Sequence, residues 1–317
     1  MKYRIGIDLG GTGIKAGVVD ENMRIIKKTS RPTDPARPFA VVVSDMAAAA
    51  AEAARQAGIS LSDAAAIGVG TPSFLNPDTG RLVLVANTNW VDVDFVAELK
   101  KHLPDRLRVE NDANCAIWGE RLAGAAKGHD IVLMLTLGTG LGSGLIIGGR
   151  LYTGERGMGP EIGHSTFVHG GLPCTCGLHG CLEAYVSVTA LINQTKAAMQ
   201  AHPESRMHAY AAENGGSVSG RTAFDCARAG DPAACAVVDG YVEYLAGGIG
   251  GLVNTFRPEL VLIGGGLSNE GEHLLRPVNE RLPRYLYAYD LIGAPPVVRA
   301  TLGNDAGIIG AACLDLL

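Results

Sequence analysis

The sequence predicts an α/β protein built from two similar lobes. Short apolar strands alternate with helices along all 317 residues. The segment Ile5 to Asp20, "IGIDLGGTGIKAGVVD", returns in outline as Leu133 to Gly149, "LMLTLGTGLGSGLIIGG": a strand, a glycine-threonine-glycine turn and a strand. A chain of 317 residues, 47% of them hydrophobic, is long and apolar enough to bury more than one core. Repeated halves imply a cleft between lobes, a common place for ligands.

The elements follow in order. "YRIGIDLG" and "IKAGVVD" are apolar strands flanking a glycine turn, and "MRIIKKTS" is a third strand. An alanine-rich helix runs from Ala40 to Ala57 and is closed by Gly58 as its C-terminal cap. "AAIGVGTP" and "LRVEND" read as buried strands ending in polar loops, and a helix starts near Ala113. In the second half, "YVSVTALINQTKAAM" and Tyr241 to Phe256 are helices. "ELVLIGGG" is a strand into a triple-glycine turn, "GGGL" opens a further helix, and "DAGIIGAACLDLL" is a C-terminal helix. Pro203 to Thr222 is polar, carries glycine and receives no assignment.

Composition excludes several functions. A net charge of −5 with no basic run argues against a nucleic-acid surface and for a small-molecule partner. Asp130 to Gly149 is the one run resembling a membrane span, but its two apolar blocks are separated by a glycine-rich turn, which two strands explain better. No secretion signal precedes the first strand, so a cytoplasmic location is expected. Cys115, Cys226, Cys235 and Cys313 stand alone among apolar residues and read as small buried hydrophobes. Cys174, Cys176 and Cys181 are clustered, which in a reduced compartment points to metal before disulfide.

Two turns carry phosphate-binding chemistry. In "DLGGTG", glycines let the backbone approach an anion and aim N–H groups at it, Thr12 adds a hydroxyl donor, and Asp8 can hold a Mg²⁺ that bridges phosphate oxygens. Gly138-Thr139-Gly140 has similar ingredients, and Gly264 to Leu267 ends a strand in glycines. None has the P-loop spacing. "VENDAN" closes a strand with Asn111 and Asp112, either of which could cap the following helix. A carboxylate there could accept the proton of a hydroxyl undergoing phosphorylation, a role for Asp112. Asn111 could hold a neighbouring sugar hydroxyl.

"EIGHSTFVHGGLPCTCGLHGCLEAY", Glu161 to Tyr185, concentrates the metal-binding residues. Cys174, Cys176, Cys181 and His164 make a closed Cys₃His set suited to structural zinc, with His169 and His179 as rival ligands. A metal fixing this loop would hold Glu161 and Glu183 at its ends, where they can accept hydrogen bonds from adjacent sugar hydroxyls.

"DLGGTGIKAGVVD", "ENDAN", "LGTGLGSGLIIGG", "EIGH", "CTCGLHGCLE" and "IGGGL" occur in the order found in the ROK family of sugar kinases and repressors, and the chain resembles that family over essentially its whole length. The bacterial glucokinases of the family are the nearest in pattern. The resemblance implies a hexokinase/actin-like (ribonuclease H-like) fold, with residues 1–112 and 300–317 in a smaller lobe and 113–299 in a larger one carrying the zinc loop, 161–185. It implies ATP- and Mg²⁺-dependent phosphorylation of the glucose 6-hydroxyl, with Asp112 as general base, in a homodimer or homotetramer. Sugar contacts would fall to Gly70, Asn87, Asn111, Asp112, Glu161, His164 and Glu183. His164 would bind zinc through one ring nitrogen and face the sugar with the other. Asp8, Gly10, Gly11, Thr12, Thr139, Gly140, Gly265 and Gly266 would serve Mg²⁺, phosphates and nucleotide. Gly13 stands where the family often has lysine; the resemblance implies that its polyphosphate-using glucokinases also carry a glycine there, so polyphosphate is the alternative donor. Fructose, mannose, allose and N-acetylated amino sugars are the alternative acceptors. A repressor of the family would carry a helix-turn-helix before the first glycine turn, where only a few residues stand here. A sugar-sensing protein without activity would need no Asp112, and an actin-like ATPase would need no zinc loop.

Overall fold

The structure is a computed structural model that describes residues 2–11, 13–34, 36–84 and 90–317. It divides into two compact units: Met1–Asp130 with Gly144–Pro160 and Thr301–Leu317, and Ile131–Ser143 with Glu161–Ala300.

The first unit begins with β1 (Arg4–Leu9), β2 (Gly13–Val19) and β3 (Ile25–Pro32), followed by α1 (Phe39–Gln56) and β4 (Ala66–Thr71). A small sheet of β5 (Leu75–Asn76), β6 (Arg81–Leu84) and β7 (Val91–Val93) precedes α2 (Phe95–Lys100), β8 (Leu107–Asn111) and α3 (Asp112–Ala123). The chain then forms β9 (Val132–Leu137) and β10 (Leu141–Ile147), and β10 pairs antiparallel with β11 (Arg150–Tyr152). The second unit resumes with α4 (Glu183–Val186), α5 (Val188–Ala201), α6 (Met207–Glu213), α7 (Thr222–Arg228), α8 (Pro232–Phe256), β12 (Leu260–Gly264), α9 (Glu272–Arg281), α10 (Tyr289–Ile292) and β13 (Val297–Arg299). The last α-helix, α11 (Ala306–Ala312), returns to the first unit.

The two main sheets have the same plan. Their strand orders are β3-β2-β1-β4-β8 and β11-β10-β9-β12-β13. In each, antiparallel hairpin strands precede a pair of parallel additions, such as β1 with β4 and β9 with β12. The repeated strand–turn–strand motif thus folds into corresponding places. The apparent membrane run is the β9–β10 hairpin, and among the described residues no helix is long and apolar enough to cross a membrane.

Period-two alternation distributes the first sheet's side chains between two layers. Ile5, Ile7 and Leu9 of β1 pack in one core with Val42, Val43 and Met46 of α1, all nearly fully buried. Gly6 and Gly68 lie against α11 on the other side. α1 ends with Gly58 at φ +73°, the cap the sequence predicts.

Several sequence expectations shift. Residues 113–130 and 144–160 belong with the first unit, because α3 packs closely on α11: a Cβ on Gly310 would fall 1.7 Å from the Cys115 carbonyl oxygen. Fully buried Glu120 reinforces this contact by accepting from the amide of Leu302 (2.7 Å) and the hydroxyl of Thr301 (3.1 Å). β8 is a half-buried edge strand, and α3 starts at Asp112. The expected helix over 185–199 is two helices, α4 and α5, separated at Ser187, whose side chain caps α5 by accepting from Ala190 N. "GGGL" leads into a 3₁₀ turn, Gly266–Glu270, that breaks at Gly271 before α9. Cys115, Cys226 and Cys313 are buried, whereas Cys235 is exposed on α8.

α8 begins well before Tyr241. Asp231 caps it, accepting from Ala234 N (2.8 Å), Arg206 N (2.8 Å) and Ser205 Oγ (3.1 Å). Burial pushes its carboxyl up, but these donors together outweigh burial and hold it below the usual carboxylate range. Such a group stabilises the fold fully above the unfolded carboxylate pKa and loses that contribution as pH falls through the depressed native value. Asp231→Ala should therefore cost about 1–2 kcal/mol at pH 7 and less as acid removes the charge. Thermal melting at neutral and acid pH checks this.

Candidate active site and metal centre

In the first unit, the parallel strands bring three positions into one row. Asp8 of β1 is in register with Gly70 of β4, and Gly70 with Glu110 of β8. Asn111 and Asp112 follow where β8 turns into α3, at the carboxyl end of the strands where open α/β sheets place ligands. Asn111 is the helix cap: its Oδ1 accepts from Ala113 N (2.9 Å) and Asn114 N (3.2 Å). The cap engages its side-chain oxygen, and its side-chain NH₂ is a hydrogen-bond donor. Asp112 is the first helical residue and accepts from Ala113 N at 2.7 Å, in the positive end of the helix dipole.

Burial raises the Asp8 carboxyl above its ordinary range, opposed by Lys15, whose Nζ lies 3.5 Å away. Burial likewise raises Glu110, although Asn111 N and Asn114 Nδ2 donate to it. Burial also pushes the Cys115 thiol up, reinforced by the charges of Glu110, Asp8 and Asp112. The first turn is closed by Gly10 N donating to Gly13 O at 2.9 Å, and Gly11 is exposed. Thr12 and Asn87 lie outside the described residues.

Lys15 and Glu110 received no role from the sequence. Lys15 lies two residues along β2 from Gly13, hence on the same face of the strand, and is in register with Asp8. The signal was a lysine displaced by two positions, readable only once the pairing is known.

In the second unit, Gly138 N donates to Gly140 O at 3.1 Å, making this turn one residue shorter than the first. Gly264 is in register with Thr136, so Gly265 and Gly266 adjoin the same turn. A Cβ on Gly140 would meet Glu183 Oε2 at 2.5 Å, so a side chain there would displace that carboxylate. Glu183 Oε2 accepts from Leu141 N (2.8 Å), and its Oε1 accepts from Thr175 Oγ1 (3.2 Å) and Cys174 Sγ (3.6 Å). Glu183 thus joins the cysteine loop to the second glycine turn, a link between residues 42 apart in sequence that spacing does not reveal.

His164, Cys174, Cys176 and Cys181 form the cluster, with one candidate ligand atom from each lying within 4.8 Å of the others; His169 and His179 are not in it. Cys176 Sγ is 3.7 Å from Cys181 Sγ, and His164 Nδ1 is 3.7 Å from Cys174 Sγ. A tetrahedron with Zn–S bonds of about 2.3 Å has sulfur–sulfur edges of about 3.8 Å. Donor type and spacing therefore both fit a closed zinc site. Gly177 (φ +90°) and Gly180 (φ +80°) let the short loop fold around it. His164 Nε2 faces Glu161 at 3.8 Å, so the two ring nitrogens point to different partners. Loss of water raises the Glu161 carboxyl, with His164 opposing and Glu183 reinforcing the shift.

Residues 4–316 match the ROK family. The chain is 38% identical over 319 residues to a glucokinase of Streptomyces coelicolor, covering 99% of this chain and 98% of that protein. It is 35% identical to a glucokinase of Thermotoga maritima, covering 98% of this chain and 96% of that protein. Among solved structures, a ROK family glucokinase from Streptomyces griseus in complex with glucose and AMPPNP is 36% identical, covers 98% of both chains and superimposes with a TM-score of 0.85. The fold is the hexokinase/actin-like one of the ROK sugar kinases. On its sequence and its fold, the chain belongs to the ROK family.

Proposed function

We propose that the chain is an ATP- and Mg²⁺-dependent glucokinase that phosphorylates the 6-hydroxyl of glucose. The observation that carries the assignment is the division of labour at the start of α3. Asn111 supplies the helix cap, and Asp112, accepting from Ala113 N through Oδ1, is set as a carboxylate where β8 turns into α3. Asp112 accepts the O6 proton as O6 forms its bond to the γ-phosphorus. The bond from that phosphorus to the β,γ-bridging oxygen breaks, and its electron pair leaves with ADP.

The side-chain NH₂ of Asn111 and the backbone at Gly70 orient the sugar, with Asn87 as a further contact. Glu161, the outward nitrogen of His164 and the remaining lone pairs of Glu183 receive or donate hydrogen bonds to ring hydroxyls. Asp8, Gly10, Gly11, Thr12, Thr139, Gly140, Gly265 and Gly266 form the cradle for phosphates and nucleotide, with Lys15 adding a cation beside Asp8. Asp8 would hold a Mg²⁺, which would supply positive charge to the phosphates. His164, Cys174, Cys176 and Cys181 would hold a zinc ion as a four-ligand structural set, which would stiffen the loop bearing the sugar ligands. We place the enzyme in the cytoplasm, where reduced thiols and ATP are available, as a homodimer or homotetramer. The exposed apolar side chains Tyr287 (82%) and Leu291 (86%) suit self-association, which light scattering tests.

The deciding experiment is phosphoryl transfer by the purified protein to glucose, mannose, fructose, allose and N-acetylated amino sugars, with MgATP or polyphosphate as donor. The expected product is glucose 6-phosphate from MgATP, identified by ³¹P NMR. Absence of transfer to any hexose would remove the assignment.

A further inference from the structure

The second glycine turn is gripped by the start of α5. Val188 N donates to the Gly138 carbonyl at 2.9 Å, and Thr189 Oγ1 donates to the Thr139 carbonyl at 2.7 Å. Glu183 Oε2 accepts from the Leu141 amide at 2.8 Å on the far side of the turn. Three consecutive peptide groups are therefore held by one segment, Glu183 to Thr189.

Peptide geometry gives the grip a consequence. In a trans peptide the carbonyl of one residue and the N–H of the next point in opposite directions. Fixing the Gly138 and Thr139 carbonyls on α5 turns the N–H groups of Thr139 and Gly140 away from it. Two successive amides aimed the same way form the kind of concavity that binds phosphate oxygens. Without the grip, a turn containing two glycines has many backbone conformations of similar energy, and binding would have to order them.

We infer that Thr189 is a positioning residue for phosphoryl-donor binding, acting through the Thr139 carbonyl to orient the amides of the second glycine turn. This rests on the proposed kinase reading and adds to it a residue that need not touch the nucleotide. Thr189 is exposed on the first turn of α5, so replacing its hydroxyl by a methyl leaves the packing of the helix in place.

The test compares wild type, Thr189→Val and Thr189→Ser by initial-rate kinetics and by calorimetric titration with AMPPNP. Loss of one hydrogen bond corresponds to about a 3- to 10-fold change in affinity. Thr189→Val should raise KM for ATP and the AMPPNP Kd by that factor while KM for glucose stays within twofold, and Thr189→Ser should restore both nucleotide constants. Unchanged AMPPNP affinity in Thr189→Val, parallel rises in both KM values, or no rescue by serine would overturn the inference. If wild type itself neither binds AMPPNP nor turns over ATP, the kinase reading fails first, and this inference with it.

Discussion

Asp112→Asn is expected to lower kcat by about 10²- to 10⁴-fold, the usual contribution of a positioned general base, while glucose affinity changes little. The amide matches the carboxylate in size and can still accept from Ala113 N as Asp112 Oδ1 does at 2.7 Å, so the start of α3 should be preserved. What it cannot do is take a proton. Because Asn111 caps the helix, stability should remain close to wild type, which separates this variant from one that merely misfolds. Loss of turnover with intact glucose binding places the interaction in the transition state rather than the ground state. Turnover within about tenfold of wild type would assign the proton to another group.

Cys176→Ser should remove the metal. The exposed Cys176 contributes one of three sulfurs, and serine is a poor substitute for thiolate at zinc. Metal content should drop from about one zinc per chain, the occupancy of a single Cys₃His site. The melting temperature should fall with it, because a closed structural site contributes folding energy. KM for glucose should rise by about 10- to 100-fold, the usual penalty for disturbing a metal-anchored site, since Glu161 and His164 hang on this loop. KM for ATP should change less, because Val188 and Thr189 hold the second glycine turn without help from the metal. Full glucose affinity in zinc-free protein would separate the loop from sugar binding.

Much of this architecture is legible in the sequence, and the exceptions have physical causes. The two glycine turns revealed the repeat because a hairpin this tight restricts residue choice strongly, and the paired sheet orders follow from it. The Cys₃His set was readable because metal ligands must be close together and chemically matched. The assignment of residues 113–130 to the first unit was not readable. It depends on glycines allowing α3 to approach α11, and nothing local marks Gly119 or Gly310 as contact points. The β5–β6–β7 sheet escaped because its strands, of two to four residues, are too short to show alternation. The start of α8 was marked all along, by Asp231 as cap and Pro232 in the first turn, a combination the helix's later apolar run obscures. At the site, residue types fixed the candidates but not their connections. Glu183 reads as a sugar ligand from its place beside Cys181, while its bond to Leu141 emerges only from the fold.

The most direct measurement is a crystal structure of the protein with glucose and AMPPNP, read at one distance. Glucose O6 should lie about 2.6–3.2 Å from a carboxylate oxygen of Asp112, with the γ-phosphorus on its opposite side. A sugar bound with O6 out of reach of that carboxylate, or a different acid occupying the position, would contradict the assignment of the proton acceptor on which the proposed chemistry depends.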